Sequence, residues 1–369
     1  MRGRYARAGF DQIITSVRPA AFLLITSNLS SVDEFAKLAI AFTLIQLVTG
    51  IYAAGVIEPW LINVSRGNNE SPAFLFPVCT SVSALVLVIA VRDPLLLSLW
   101  PILPLSQIFE ARRAAAYVAD RHAEIVWLST VPLAGLVIGS VTLGNSYGVT
   151  LGLATGMLLG AYGWQPRKGR RARGKLWSWS PLFAVDYLAS TGYGLSVVLF
   201  LSYYLSPVDA SGLRLSQQLF AVATIAFTGL KYVLLPSGGA LALMRRTYVR
   251  SVLIMASLGT VSACVAWLFL WLWGSTIDRE IRTVVYMVSP GLALQSILLA
   301  SYTLTPLLLK RLDAGRRLVV VRAITLLASF IAVLSGAWLG GVEGAAWGLA
   351  AGSIAGAIAW HTVIRSVLK

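Results

Sequence analysis

Three residues near the start of the chain raise the chemical question. Asp11, Thr15 and Arg18 stand at i, i+4 and i+7, which puts them on one face of a helix. A carboxylate there could carry a proton or bind a cation, and a guanidinium could grip a phosphate through paired N–H bonds. Their surroundings are apolar, and a charge at the centre of a membrane helix costs about 2.5–3.5 kcal/mol. Arg18 lies roughly eight residues into its run, ~12 Å at 1.5 Å per residue, too deep to reach the surface easily. Pro19 follows and removes a backbone donor, marking a kink and a hinge position.

The pattern recurs at an offset of 175, with Asp186, Ser190 and Tyr193. A longer stripe follows: Arg214, Gln217, Ala221, Thr224, Thr228 and Lys231, spaced alternately by three and four. A polar stripe facing lipid would leave its donors unsatisfied, so these faces look into the protein or a wet cavity. Glu58, just before Pro59, is a further candidate cavity carboxylate. Each residue also has a plainer reading. Asp11 and Asp186 could cap helix N-termini, Arg18 could simply neutralise Asp11, and Lys231 could snorkel to the surface. Glu110, Arg112 and Arg113 read as the solvated end of a helix.

Enzyme chemistry lacks its usual parts. His122 and His361 are the two histidines and have no partner at metal-ligand spacing. There is no Gly-x-x-x-x-Gly-Lys phosphate loop, no Ser or Cys nucleophile motif and no acidic cluster in a polar loop. No enzyme activity, cofactor or metal is expected. Cys79 and Cys264 sit in apolar runs and read as small buried side chains rather than a disulfide.

The elements that must position these residues are membrane helices. The chain is 57% hydrophobic and 12% charged, against about 25% charged in a soluble domain. Twelve apolar runs, about 9–29, 38–62, 73–92, 94–116, 122–141, 147–164, 181–205, 213–236, 249–273, 283–308, 318–338 and 345–364, mostly suit a membrane crossing. The net charge of +15 is segregated. With the N-terminus inside, most Lys and Arg fall on the cytoplasmic side, including the basic stretch 167–175. This is the positive-inside pattern, so both termini are expected in the cytoplasm and no nucleic-acid partner is implied.

The chain also repeats itself. Gly148, Gly152, Gly156 and Gly160 form a ladder that returns 196 residues later as Gly344, Gly348, Gly352 and Gly356. A glycine every four residues makes a groove against which another helix backbone can lie. Val32-Asp33 and Pro59 return as Val208-Asp209 and Pro236. The reading is an all-α membrane protein of about twelve helices: a six-helix lobe over 1–164, a basic linker at 165–180 and a second lobe over 181–369. Six is even, so the repeats are parallel, related by an axis along the membrane normal.

Gly9-Phe10-Asp11-Gln12 through Thr15-Ser16, then Asp33-Glu34-Phe35 and Glu58-Pro59, resemble the first two spans of polysaccharide-export flippases. These are the O-antigen and teichoic-acid export relatives within the multidrug/oligosaccharidyl-lipid/polysaccharide (MOP) superfamily. Asp186, Val208-Asp209, Gln217-Gln218 and Leu235-Pro236 resemble the second half. The resemblance implies two lobes around a central cavity lined by spans one, two, seven and eight, working by alternating access in a bacterial cytoplasmic membrane. It implies a lipid-linked anionic sugar as substrate, held by Arg18 and Lys231 with Arg214 near the outer mouth. Membrane lipids and polysaccharide-assembly membrane proteins are the implied partners. A drug or cation antiporter of the same superfamily is the alternative, and a membrane-embedded polymerase or ligase a more distant one.

Overall fold

The computed structural model describes residues 2–65, 75–162, 181–189, 193–228, 248–311 and 315–368, and its regular elements are all helical. Lys231 and the basic stretch 167–175 lie outside the described residues. The chain divides into two compact units, Met1–Leu188 and Ala189–Lys369.

The first unit holds α1 (Arg2–Leu29), α2 (Val32–Tyr52), a π-turn (Ala53–Ile57) running directly into α3 (Glu58–Ser65), and α4 (Leu75–Val91). It continues with α5 (Pro94–Leu99), α6 (Ile102–Val118), α7 (His122–Leu143), α8 (Ser146–Tyr162) and α9 (Pro181–Tyr187). The second holds α10 (Tyr193–Tyr204), α11 (Pro207–Thr228), α12 (Tyr248–Trp273), α13 (Arg279–Tyr302), α14 (Leu304–Arg311) and α15 (Gly315–Leu368). α15 breaks at Gly340 and Gly341, where Gly341 takes φ +57°, so it is two antiparallel arms rather than one rod. Among the described residues, six helical segments are long and apolar enough to cross a membrane: Val32–Ile62, Pro94–Val118, Ala123–Leu143, Tyr248–Thr276, Arg279–Leu309 and Arg317–Val367. The last contains both arms.

Short polar signals set the helix starts. Ser31 caps α2, its hydroxyl accepting from the Glu34 amide while the Glu34 carboxylate accepts from the Ser31 amide. Asp93 caps α5 by accepting from the Leu95 amide at 2.9 Å, and it also pairs with Lys37 at 3.3 Å. Asp278 does the same for α13 through the Glu280 amide at 2.8 Å.

The glycine ladders lie against backbone in both units. In α8, a Cβ on Gly152 would run into the Gly135 carbonyl and stand 2.8 Å from the Gly139 Cα, and one on Gly156 would stand 2.8 Å from the Pro132 Cα. No real Cβ tolerates such distances, so α7 and α8 approach at glycine's closest spacing. In α15, Gly344 meets the Gly336 carbonyl across the break, Gly348 would place a Cβ 2.7 Å from the Val333 Cα, and Gly352 one 2.6 Å from the Ser329 Cα. The grooves relax at Gly160, whose nearest neighbour is a Phe109 ring carbon at 3.8 Å. The facing glycines Gly135, Gly139 and Gly336 complete a pattern that the ladders alone show from one side.

Large apolar side chains cover the outside, among them Val78, Val82, Val86 and Ile89 of α4 and Val261, Val265 and Leu268 of α12. Such surfaces belong in lipid. Cys79 and Cys264 share them and are exposed, which corrects the expectation that they are buried. An apolar run longer than its buried stripe necessarily has a lipid face, and a thiol is apolar enough to occupy it.

Candidate functional site

The polar residues of the first unit converge between α1 and α6. Asp11 is fully buried in the middle of α1, far from the helix N-terminus, which rules out a capping role. Tyr117 of α6 donates its hydroxyl to Asp11 Oδ2 at 2.5 Å, and Ser129 of α7 donates to Oδ1. Arg113 Nε lies 3.6 Å from Asp11 Oδ2, and Arg113 Nη1 lies 3.2 Å from Glu110 Oε1. Arg113 therefore bridges two carboxylates, one from α1 and one from its own helix.

Arg18 is 8% exposed and places its guanidinium over the Phe109 ring, 5.0 Å from the centroid. That contact orients the plane of the guanidinium by cation–π attraction. Its Nη1 is buried with no hydrogen-bond partner. Asp11 is ion-paired with Arg113, and among the described residues no ion pair joins it to Arg18. Thr15 is buried and bonds back to the Asp11 carbonyl at 2.9 Å, so it serves the helix rather than the cluster. α1 continues as helix through Pro19.

Toward the other end of α6 the polar line continues. Ser106 shares a 2.7 Å hydrogen bond with Thr49 of α2, and Gln107 Oε1 accepts from Thr80 of α4 at 2.9 Å. Gln107 Nε2 is buried without a hydrogen-bond partner. Ser106, Gln107, Glu110, Arg113 and Tyr117 thus form a polar stripe at helical spacing. It also corrects the expected solvated end: Arg113 is 3% exposed, and Glu110 and Arg112 are half-buried. The 3–4 spacing was there to be read, but adjacent charges at the end of an apolar run look like a helix leaving the membrane.

The other candidate residues lie elsewhere. Glu58 is buried directly after the π-turn, and Asp186 is buried on α9. Beside it, the Tyr187 hydroxyl donates to the Gln46 carbonyl at 3.3 Å and the ring fills the space left by Gly50. In the second unit Arg214 is 2% exposed on α11, with Ser216 and Gln218 buried and Gln217 half-buried. The side chains of Thr224 and Thr228, on the same helix, lie outside the described residues, as does Lys231. The second unit has its own polar knot, in which the Tyr248 hydroxyl contacts Thr305 Oγ1 at 2.8 Å and His361 Nδ1 at 2.9 Å. Among the described residues no three His, Cys, Asp or Glu side chains are placed to hold a metal.

Neither a protein-family model nor a curated protein sequence matches this chain. Solved structures do. A multidrug resistance MATE family transporter of the MOP superfamily, in an outward-facing conformation, superposes with a TM-score of 0.62 at 11% identity, covering 99% of this chain and 95% of the other. A Vibrio cholerae MATE transporter, VcmN, in its bent form gives 0.58 at 16% identity over 99% and 97%. A MATE transporter in complex with MaD3S gives 0.65 at 12% identity over 99% and 96%. The fold is that of the MATE transporters. At these identities the likeness fixes a multi-pass membrane architecture across the whole chain, and the site must speak for its own chemistry.

Proposed function

We propose that this chain is a secondary transporter that carries an anionic, lipid-linked sugar outward across the cytoplasmic membrane by alternating access, as the polysaccharide-export flippases do. The observation that carries the substrate class is Arg18: a buried guanidinium, oriented by Phe109, with a donor unfilled. A buried donor without an acceptor is costly, and a phosphate oxygen would remove that cost. Moving two negative charges outward across an inside-negative membrane is favourable by about 2.3 kcal/mol per charge per 100 mV, ~4.6 in total. Lys231 and Arg214 would supply further positive charge, and Pro19 a hinge in α1. The coupling carboxylate would come from Asp11, Glu58 or Asp186. Both termini would be cytoplasmic, with polysaccharide-assembly membrane proteins as partners.

A second reading, a drug or cation antiporter, is favoured by the multidrug MATE transporter among the structures that share the fold and by the buried Asp11. The two readings part in proteoliposomes. A fluorescent lipid-linked diphosphate sugar should move between leaflets only when the protein is present and should stop with Arg18→Ala. Uptake of a cationic dye, insensitive to Arg18→Ala and abolished by Asp11→Asn, would reverse the assignment.

A further inference from the structure

The second unit gathers basic charge at one end. α12 begins there at Tyr248, α13 ends there at Tyr302 and runs into α14, and the two arms of α15 start and finish there. The segments 245–250, 305–325 and 355–369, which start or finish these helices, hold ten Lys or Arg and one acid, Asp313. Asp313 lies outside the described residues. On α12 to α15 the acidic residues are Glu280, at the start of α13, and Glu343, beside the break in α15, both at the opposite end. A basic surface of this kind raises the local concentration of anions.

A polar knot joins three helices at the same end. The Tyr248 hydroxyl lies 2.8 Å from Thr305 Oγ1 on α14 and 2.9 Å from His361 Nδ1 on the second arm of α15. Tyr248 thereby engages Nδ1 and leaves Nε2 as the ring nitrogen open to another partner. Trp360, adjacent to His361, is fully buried and stacked on Tyr302, and the Arg322 guanidinium lies over its ring, 4.5 Å from the centroid. The Trp360 Nε1 donor is buried with no hydrogen-bond partner among the described residues, which adds to the demand for negative charge here.

The second arm also carries a graded stripe. Ile354, Ile358, His361 and Arg365 are spaced by four, three and four, so they share one helical face. Ile354 and Ile358 are exposed, His361 is half-buried and Arg365 is exposed. Toward the end of the arm the face passes from aliphatic to imidazole to guanidinium. Val249 and Leu253, near the start of α12, add exposed apolar surface. A free phosphate would meet only the last two groups of the stripe. A phospholipid meets all four, with an acyl chain along the isoleucines and its phosphate at the basic end.

We propose that this stripe binds an anionic phospholipid, with the phosphate held by Arg365 and by His361 Nε2. The imidazole donates from Nε2 when Tyr248 donates to Nδ1 and Thr305 donates to Tyr248, so the knot sets the tautomer that an anion needs. Arg322, held over the neighbouring Trp360, adds positive charge. Arg365 can meet the phosphate through two N–H groups at once.

The test is titration of delipidated full-length protein in detergent with phosphatidylglycerol, reading the fraction that carries one lipid by native mass spectrometry. Wild type should retain one phosphatidylglycerol in preference to phosphatidylcholine, and an excess of inorganic phosphate should not displace it. Arg365→Gln should weaken that binding by about tenfold, the loss expected for a charge-assisted contact. Arg250→Gln removes the same charge from an exposed site two residues past Tyr248, on the other side of α12, and should leave binding within about twofold of wild type. His361→Phe should weaken binding as well; should it not fold, the exposed Arg365 site decides alone. Equal retention of phosphatidylcholine, displacement by inorganic phosphate, wild-type binding by Arg365→Gln, or equal losses in Arg365→Gln and Arg250→Gln would each overturn the proposal.

Discussion

The Tyr117 hydroxyl meets Asp11 Oδ2 at 2.5 Å across 106 residues of chain, and with Ser129 it binds α1 to α6 and α7 at one carboxylate. The contact lies within a helical unit whose outside faces lipid, so it does structural work wherever else Asp11 takes part.

Removing the carboxylate should therefore cost stability as well as function. Asp11→Ala takes a carboxylate partner from the buried Arg113 and should destabilise by about 3–5 kcal/mol, the usual cost of breaking a buried pair. Tyr117→Phe deletes one hydrogen bond and should cost about 1–3 kcal/mol. Thermal unfolding in detergent, followed by size-exclusion fluorescence, gives both values. Equal midpoints for wild type and Asp11→Ala would mean that the cluster does not hold these helices.

The glycine ladders make a graded prediction. Gly152→Leu and Gly352→Leu should sharply reduce folded protein in membranes, because any Cβ at those positions meets backbone. Gly160→Ala should be tolerated, since its nearest neighbour is 3.8 Å from the added carbon. Normal yield and monodispersity of Gly152→Leu would remove the ladder from the packing.

The distribution of charge makes a topological prediction. Reporter fusions at Gly169 and Gly341 should report cytoplasm and exterior respectively, the first because six basic residues surround it between 167 and 175. The same side for both would sink the parallel-repeat arrangement.

Much of this molecule was legible because membrane helices leave few degrees of freedom. Apolar length, basic flanks and glycine spacing each carry a direct physical meaning, and Gly340-Gly341 marks the break in α15 as plainly as any loop would. Asp11 and Arg18 stood out because a charge in an apolar run needs a reason. Their partners did not. Tyr117 and Ser129 are 106 and 118 positions away from Asp11, and a tyrosine near a helix end or a serine in a membrane helix is ordinary alone. The fit of Tyr187 against Gly50 has no local signal either, because it depends on a neighbour that the sequence does not name. Exposure of Cys79 and Cys264 was hidden for a related reason: composition identifies a membrane helix but not which of its apolar faces meets lipid.

Arg18 carries the functional claim, and the structure sharpens its test. If Arg18 binds a phosphate group, its charge matters more than its packing. Arg18→Ala should abolish export of the lipid-linked sugar while the protein still inserts and folds, because losing a mid-membrane charge does not hinder insertion. Arg18→Lys should keep part of the activity, as a point charge without the bidentate fork. Had Arg18 served only to neutralise Asp11, the Asp11→Asn, Arg18→Gln double variant should recover what either single change loses. Asp11 pairs with Arg113 instead, so that double variant should stay inactive and be no more stable than Asp11→Asn alone. Outer-leaflet lipid-linked sugar, normalised to protein in the membrane, is the measurement. Full export by Arg18→Ala, or rescue in the double variant, would return Arg18 to a purely structural role.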